Sequence, residues 1–386
     1  MKVLFITHYS ELLGANLSFL SLIRYLRSDY NCEPVVLLPQ DGPICDILEE
    51  EHVEYYVQPF YWWIMKSNCY DFKHFLDNLN KQRRNYFRLR HFAKSVLEGK
   101  HFDLIYSNSV TINVGVILAR YFHINHIWHF REDLSQFGFV IPPITGYLSF
   151  HHKATKRFVM ISDFQLKGYE KYIPAKKCIR IYDGVNLSSN YSSCVTKIGF
   201  KNSLIKICCV GAISEQKNQK DIVEAIPLLK SKGYNVQLHL VGPEDDDYKK
   251  RLLSEIQEMG IDSDVLFYGQ RQDVFEILAQ MDIAIMPSKD EAFGRVTIEY
   301  MLMGIPVVAS NSGANPELVK DGRNGYLYEL YNPRSLADSV GKIIDKNEES
   351  ISMIRMNNRE DALRFSENAN ASSIFNEFVA VQSMKY

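Results

Sequence analysis

Ile283-Ala284-Ile285-Met286-Pro287-Ser288-Lys289-Asp290-Glu291-Ala292-Phe293-Gly294-Arg295-Val296-Thr297-Ile298-Glu299 runs from an unbroken apolar stretch through a polar loop into residues spaced for a helix. A short apolar run without alternation reads as a strand buried on both faces, the mark of a parallel sheet covered by helices. The pattern recurs on either side. A strand over 205–210 leads through Gly211-Ala212-Ile213-Ser214-Glu215-Gln216-Lys217-Asn218 into a helix over 219–230. Further strands are predicted over 236–241, 265–268 and 306–310, with helices over 248–259, 273–280 and 295–303. The strand over 306–310 feeds a third loop, Ser310 to Glu317, with Pro316 near a helix start, and completes the predicted second sheet.

Upstream, strands over 2–7, 34–38, 53–57, 104–107, 126–129, 158–161 and 179–182, with a helix over 15–27, predict a first sheet of the same kind. The polar segment 187–203 reads as a linker. The fold class is therefore α/β: two Rossmann-like, doubly wound parallel-sheet domains, 1–186 and 204–365, with a central cleft between them as the default site. A C-terminal helix within 366–386 follows the second sheet and is expected to pack back on the first domain.

Composition narrows the function. The chain has 386 residues, 46% hydrophobic and 23% charged, which suits a globular protein with sizeable cores. A net charge of -2 argues against a nucleic-acid binder. No charge-free apolar run approaches the roughly 18–20 residues of a membrane span, and the apolar run after Lys2 is too short for a signal-peptide core. Seven cysteines without a C-x-x-C pair fit the reduced thiols of a cytoplasm. Residues 1–190 carry 22 basic and 18 acidic side chains; the remainder carries 22 and 28. Ten of the 11 histidines lie in that first part.

The loop from Pro287 places Glu291 before the helix and Glu299 just over one turn into it. A strand end, a glycine and a helix N-terminus make an anion pocket, and carboxylates beside it suit sugar hydroxyls. The alternatives are that Glu291 caps the helix and Glu299 is solvated. Asn218 is an N-cap candidate, and Lys217 adds charge where phosphate is favoured. Asp245-Asp246-Asp247 and Asp262-Ser263-Asp264 match the D-x-D pattern of metal sites, although the first also suits a helix N-terminus.

Gly211…Glu215-x-Lys217-Asn218, Val241-Gly242, Ala279…Asp282…Met286-Pro287-Ser288, Glu291-x7-Glu299, Met303-Gly304-x-Pro306-Val307-Val308-Ala309-Ser310, Gly313…Glu317 and Asp321-Gly322…Asn324-Gly325 occur in this order over roughly residues 205–330. Together they resemble the family 4, or group 1, retaining glycosyltransferases of the GT-B fold. The first half resembles them less closely, through Gly14 after the first strand and a strand ending in His129. The resemblance implies a nucleotide-diphosphate sugar donor in the second domain and an acceptor in the first. Glu299 would hold the ribose, Glu291 the donor sugar and Lys217 the diphosphate, with the amides of Phe293-Gly294 beside sugar and phosphate. His129 would reach the donor sugar, the alternative being a histidine that caps a strand or helix. Gly14, Gly211, Asn218, Arg271 and Arg295 complete the donor-binding set. One departure is Ala212, where the family usually places an arginine, so Arg131 or Arg295 would share the phosphate charge. The expected enzyme needs no cofactor and no metal. A nucleotide-sugar epimerase or a non-catalytic sugar-nucleotide-binding subunit would share the architecture.

The segment Phe60 to Lys94 opens Phe60-Tyr61-Trp62-Trp63 and carries eight basic residues against two acidic ones from 61 to 94. It suits an anionic membrane surface, and hence a lipid-linked acceptor at a cytoplasmic membrane face, or a core-covering helix with a basic outer face. Phe137 to Pro143 is a second apolar loop that would join it.

Overall fold

A computed structural model describes residues 1–12, 14–69, 72–134, 138–187, 200 and 203–386. The chain forms two compact units, Met1–Gly184 with Glu367–Tyr386, and Val185–Ser366. Of the segment 187–203, residues 188–199 and 201–202 lie outside the described residues, as do Tyr70, Asp71 and Phe137.

In the first unit the strands are β1 (Lys2–Ile6), β2 (Glu33–Leu38), β3 (Glu54–Val57), β4 (Met65–Lys66), β5 (Leu104–Ser107), β6 (His126–Phe130), β7 (Phe139–Val140), β8 (Thr155–Met160) and β9 (Cys178–Arg180). Seven of them form a wholly parallel sheet in the order β3-β2-β1-β5-β6-β8-β9. β4 and β7 pair antiparallel as a separate ribbon. Alternation along β1 shows why its residues are apolar throughout. Val3 and Phe5 pack with Phe19 and Ile23 of the helix Gly14–Tyr30, and with Ile374, Phe378 and Val381 of the helix Glu367–Gln382. Leu4 and Ile6 pack on the opposite face with Leu89 and Phe92 of the helix Phe72–Ser95 and Leu118 of the helix Val114–Phe122. The last helix is thus a structural part of the first sheet. Asn125 Nδ2 donates to the carbonyls of Val381 and Met384 at 2.8 Å each, and Arg157 meets Glu377 at 2.8 Å.

The helix Phe72–Ser95 decides between core cover and open surface along its length. Asn78, Asn85, Leu89, Phe92 and Ala93 are buried, and Trp63 is buried beside Trp128 and Phe150. Arg83, Arg84, Arg90 and Lys94 are exposed, together with Trp62, Leu76 and Phe87. Among the described residues, no helix is long and apolar enough to cross a membrane.

The second unit contains β10 (Ile205–Val210), β11 (Val236–Val241), β12 (Val265–Phe267), β13 (Ile283–Met286), β14 (Val307–Ser310) and β15 (Gly325–Tyr328). They form a parallel sheet in the order β12-β11-β10-β13-β14-β15. β15 corrects the sequence reading, which ended this sheet at Ser310. Four residues following the Asp321-Gly322 turn are too short to show a period, and only their seat against β14 makes them a strand. A Cβ on Gly325 would lie 2.1 Å from the carbonyl of Val307, so this close pairing needs glycine. Strand order reverses between β10 and β13, the switch point where doubly wound sheets bind ligands beyond their strand ends.

His126 lies fully buried in β6, its ring bridging Ser107 Oγ at 2.9 Å and Thr155 Oγ1 at 3.0 Å. Loss of hydration pushes its pKa down to about 3. In the unfolded chain the imidazole takes a proton near pH 6.5, which the folded chain refuses. Stability present at pH 7 is therefore lost as pH falls, by about 2 kcal/mol from this group between pH 7 and pH 5. Urea titrations at both pH values are expected to show a fall smaller by that amount in His126→Gln. An unchanged pH dependence in the variant would contradict the assignment.

Candidate active site

Three loops leave the C-terminal ends of β10, β13 and β14, and hydrogen bonds tie them together. Lys289 N donates to the carbonyl of Gln216 at 3.2 Å, and Asn218 Nδ2 donates to that of Pro287 at 3.4 Å. Ser310 Oγ donates to the carbonyl of Ser288 at 2.7 Å, Asp290 N to Ser312 Oγ at 3.0 Å, and Ala314 N to the carbonyl of Glu291 at 2.7 Å. Two glycines permit the closeness. Gly313 has φ +61°, and a Cβ there would stand 2.3 Å from Glu291 N. Gly242 has φ +150°, and its Cβ would stand 2.1 Å from the carbonyl of Gly211.

This scaffold brings together most of the second-domain candidates. Lys217 Nζ meets Glu291 Oε2 at 2.6 Å across two loops, so Glu291 pairs with a cation and does not cap the helix. The helix Arg295–Leu302 starts at Gly294, in the left-handed region at φ +94°, and no side chain caps it. Phe293 packs against Phe365 with ring centroids 5.8 Å apart. Glu299, one turn after Arg295, is half-buried, and its side chain makes no hydrogen bond among the described residues. Burial raises its carboxyl above the ordinary range, with the Arg295 charge opposing. Glu299 is therefore not the fully solvated side chain that the bland reading requires.

Asn218 corrects one expectation. It occupies the cap position before the helix Gln219–Ser231 but adopts φ +53°, and its side chain bonds the neighbouring loop and caps nothing. Asparagine tolerates this left-handed conformation better than most residues. Arg271 is exposed and holds Asp273 bidentately at 2.7 and 2.6 Å, a partnership separate from the three loops. Ala212 is exposed beside Gly211, with no charge in its place. Of the D-x-D pairs, Asp245 caps the helix Asp246–Glu258 by accepting from Tyr248 N at 2.8 Å, and Asp264 pairs with Lys230.

The first unit corrects two further expectations. His129 is fully buried inside β6, bonded through Nδ1 to the Tyr106 hydroxyl, and its pKa lies well below the ordinary value because it has lost its hydration. The strand continues to Phe130 and is buried at every position, so both faces of its end are covered and His129 lies in the core. Arg131 is buried against Asp183 and Asn108, so its charge is already matched. Gly14 opens the helix Gly14–Tyr30 with nothing within 4 Å of a Cβ placed on it. Only the fold brings Asp183 to Arg131, 52 positions away in the chain.

Residues 195–363 match the family described as Glycosyl transferases group 1. This match covers 169 of the 386 residues and makes the second unit similar to that family. It is similar to the putative glycosyltransferase EpsD of Bacillus subtilis, 28% identical over 171 residues, 44% of each chain. It is also similar to the N-acetyl-alpha-D-glucosaminyl L-malate synthase of Bacillus anthracis, 32% identical over 133 residues, 34% of each. The matched part spans less than half the length of these two relatives. Across 98% of this chain and 100% of the other, the fold matches that of Anabaena Alr3699/HepE, solved in complex with UDP, at a TM-score of 0.77 and 23% identity. The chain therefore has the GT-B fold.

The loop contact at Gly313 yields a test. Gly313→Ala must accept both a left-handed alanine and a clash with backbone, whereas Gly260→Ala, at φ +64° with nothing within 4 Å, accepts only the first. Gly260→Ala is expected to cost about 1 kcal/mol, and Gly313→Ala at least about 2 kcal/mol more. Denaturant unfolding of both variants measures the difference, and equal costs would show that the loops do not depend on this contact.

Proposed function

We propose that this protein is a group 1, retaining glycosyltransferase that moves a sugar from a nucleotide diphosphate onto a glycan or lipid-linked glycan in polysaccharide or glycoconjugate assembly. The observation that carries this reading is the Lys217–Glu291 pair beside an uncapped helix start, with the half-buried Glu299 carboxylate one turn further on. Each element has a use for such a donor. The helix N-terminus favours the diphosphate through its amides and dipole. Lys217 exchanges the Glu291 carboxylate for phosphate, a charge-for-charge substitution that frees Glu291 to accept hydroxyl bonds from the sugar. Glu299 accepts the ribose hydroxyls. The complex of HepE with UDP-glucose makes a UDP-sugar the first donor to test.

In this mechanism the acceptor oxygen bonds the anomeric carbon on the face from which the diphosphate leaves, and the departing phosphate oxygen takes the acceptor's proton. The protein supplies position and charge stabilisation. Lys217 and the helix amides stand in this reading where other enzymes use a metal. Ala212 in place of arginine favours one competing view, a subunit that binds sugar nucleotide without turnover. Slow hydrolysis of radiolabelled UDP-glucose to glucose and UDP supports the enzyme; binding without any hydrolysis supports the other view.

Glu299→Ala is expected to weaken UDP binding by about 2–4 kcal/mol, from two charge-assisted hydrogen bonds that do not add fully. Calorimetry reads this directly, and unchanged affinity would remove the ribose assignment. Glu291→Ala should leave UDP binding near wild type and lower turnover. Lys217→Ala should lower donor hydrolysis by about 100-fold, the scale of a lost charge-stabilising contact.

A lipid-linked acceptor at a cytoplasmic membrane face is the companion proposal. Its support is the exposed Arg83, Arg84, Arg90 and Lys94 with Trp62 and Phe87 among them. Basic residues near an anionic leaflet gain about 1 kcal/mol each. The protein should sediment with phosphatidylglycerol vesicles at low salt and much less at high salt. Binding that survives Arg83→Glu with Arg84→Glu would refute the assignment.

A further inference from the structure

At the C-terminal edge of the first sheet, within the first unit alone, β1, β5 and β6 deliver His8, Ser109-Val110 and Glu132 to one place. Glu132 Oε2 accepts from Ser109 Oγ at 3.0 Å and Val110 N at 3.3 Å. Its Oε1 faces His8 Nε2 at 3.5 Å without a hydrogen bond, and His8 Nδ1 is likewise unsatisfied. The two side chains are only 5% and 13% exposed, so neither has water to spare. Buried polar atoms are nearly always partnered, and a pair of orphans on adjacent groups points to a missing ligand. Trp62 forms the rim. Its ring is 38% exposed, its Nε1 donates to the His8 carbonyl at 3.1 Å, and it lies 5.7 Å from the His8 ring and 6.0 Å from Phe139.

We propose that His8, Glu132 and Trp62 form a binding subsite for a neutral sugar ring, with Glu132 and His8 taking a ring hydroxyl and Trp62 packing on the ring's apolar face. A hydroxyl can donate to a carboxylate oxygen and accept from an imidazole N–H, so it suits Glu132 Oε1 with the His8 ring beside it. An anion would meet the Glu132 carboxylate, and a cation would meet Arg131 beside it. On the glycosyltransferase reading, this subsite holds the acceptor.

Burial pushes the Glu132 carboxyl up to about 7, while the Ser109 and Val110 hydrogen bonds and the Arg131 charge oppose it. The other titratable groups facing the site are His8, held down to about 3 by burial, Tyr9 and Tyr169, both raised by burial. Of these groups only Glu132 changes charge between pH 6 and 8. Sugar binding through its carboxylate should therefore strengthen about tenfold over that range, the ratio of ionised fractions on either side of pH 7.

The test is saturation-transfer NMR on the full chain with octyl β-glucoside, octyl β-galactoside and octyl N-acetyl-β-glucosaminide below micelle formation, with choline and inorganic phosphate as competing probes. At least one glycoside should bind, with affinity rising from pH 6 to 8. Trp62→Ala and Glu132→Gln should each weaken it tenfold or more, Trp62→Phe should restore most of the loss, and the Glu132→Gln profile should be flat with pH. No glycoside binding, equal binding in the variants, or preference for choline or phosphate would overturn the subsite. UDP calorimetry on the same samples tests the donor reading separately. Glycoside binding without UDP binding leaves the subsite standing while that reading falls; the reverse outcome removes the subsite alone.

Discussion

A parallel sheet has no face that can be left to water, because consecutive strands need crossovers and these lay helices on both sides. Most of this protein follows from that constraint. β1 is apolar at every position because Val3 and Phe5 look one way and Leu4 and Ile6 the other, and both sides need cover. The cover over Val3 and Phe5 comes partly from the far end of the chain, where Ile374, Phe378 and Val381 complete the layer. Strand ends are where the burial stops. Polar and charged residues therefore collect in the loops beyond β10, β13 and β14 in one sheet and beyond β1, β5 and β6 in the other.

Three cations close to strand ends each meet a carboxylate. Lys217 has Glu291, Arg131 has Asp183 and Arg271 has Asp273. The pairs differ in depth, and depth decides their use. Arg131 and Asp183 are buried and hold the first unit's edge together, since separating them would leave an unpaired buried charge. Lys217 and Glu291 keep some exposure, 31% and 15%, so an entering phosphate can replace the carboxylate at modest cost. At Glu299 and Glu132, burial holds both carboxyls above their ordinary range, with the Arg295 and Arg131 charges opposing, and leaves them ready to accept hydroxyl groups.

The sequence by itself determined the sheet alternation, because a buried strand and a helix impose periods that any reader can count. It also determined the three loops of the second unit. The spacing of Glu291 and Glu299 around Gly294 encodes a strand–loop–helix turn locally, within a dozen residues. What it could not determine were relations between distant positions. The strand Gly325–Tyr328 exists only against β14, the Arg131–Asp183 pair spans 52 residues, and Asn218 takes a left-handed turn because the next loop offers the Pro287 carbonyl. His129 looked like a strand-end ligand because a count of residues cannot tell that both faces of the strand's end are covered. Glu132 is one acid in His129-Phe130-Arg131-Glu132-Asp133, and its burial beside His8 and Ser109 appears only when β1 and β5 bring those residues to it. Local geometry is written in neighbouring residues; burial and charge pairing are properties of the packed chain, and only tertiary structure decides them.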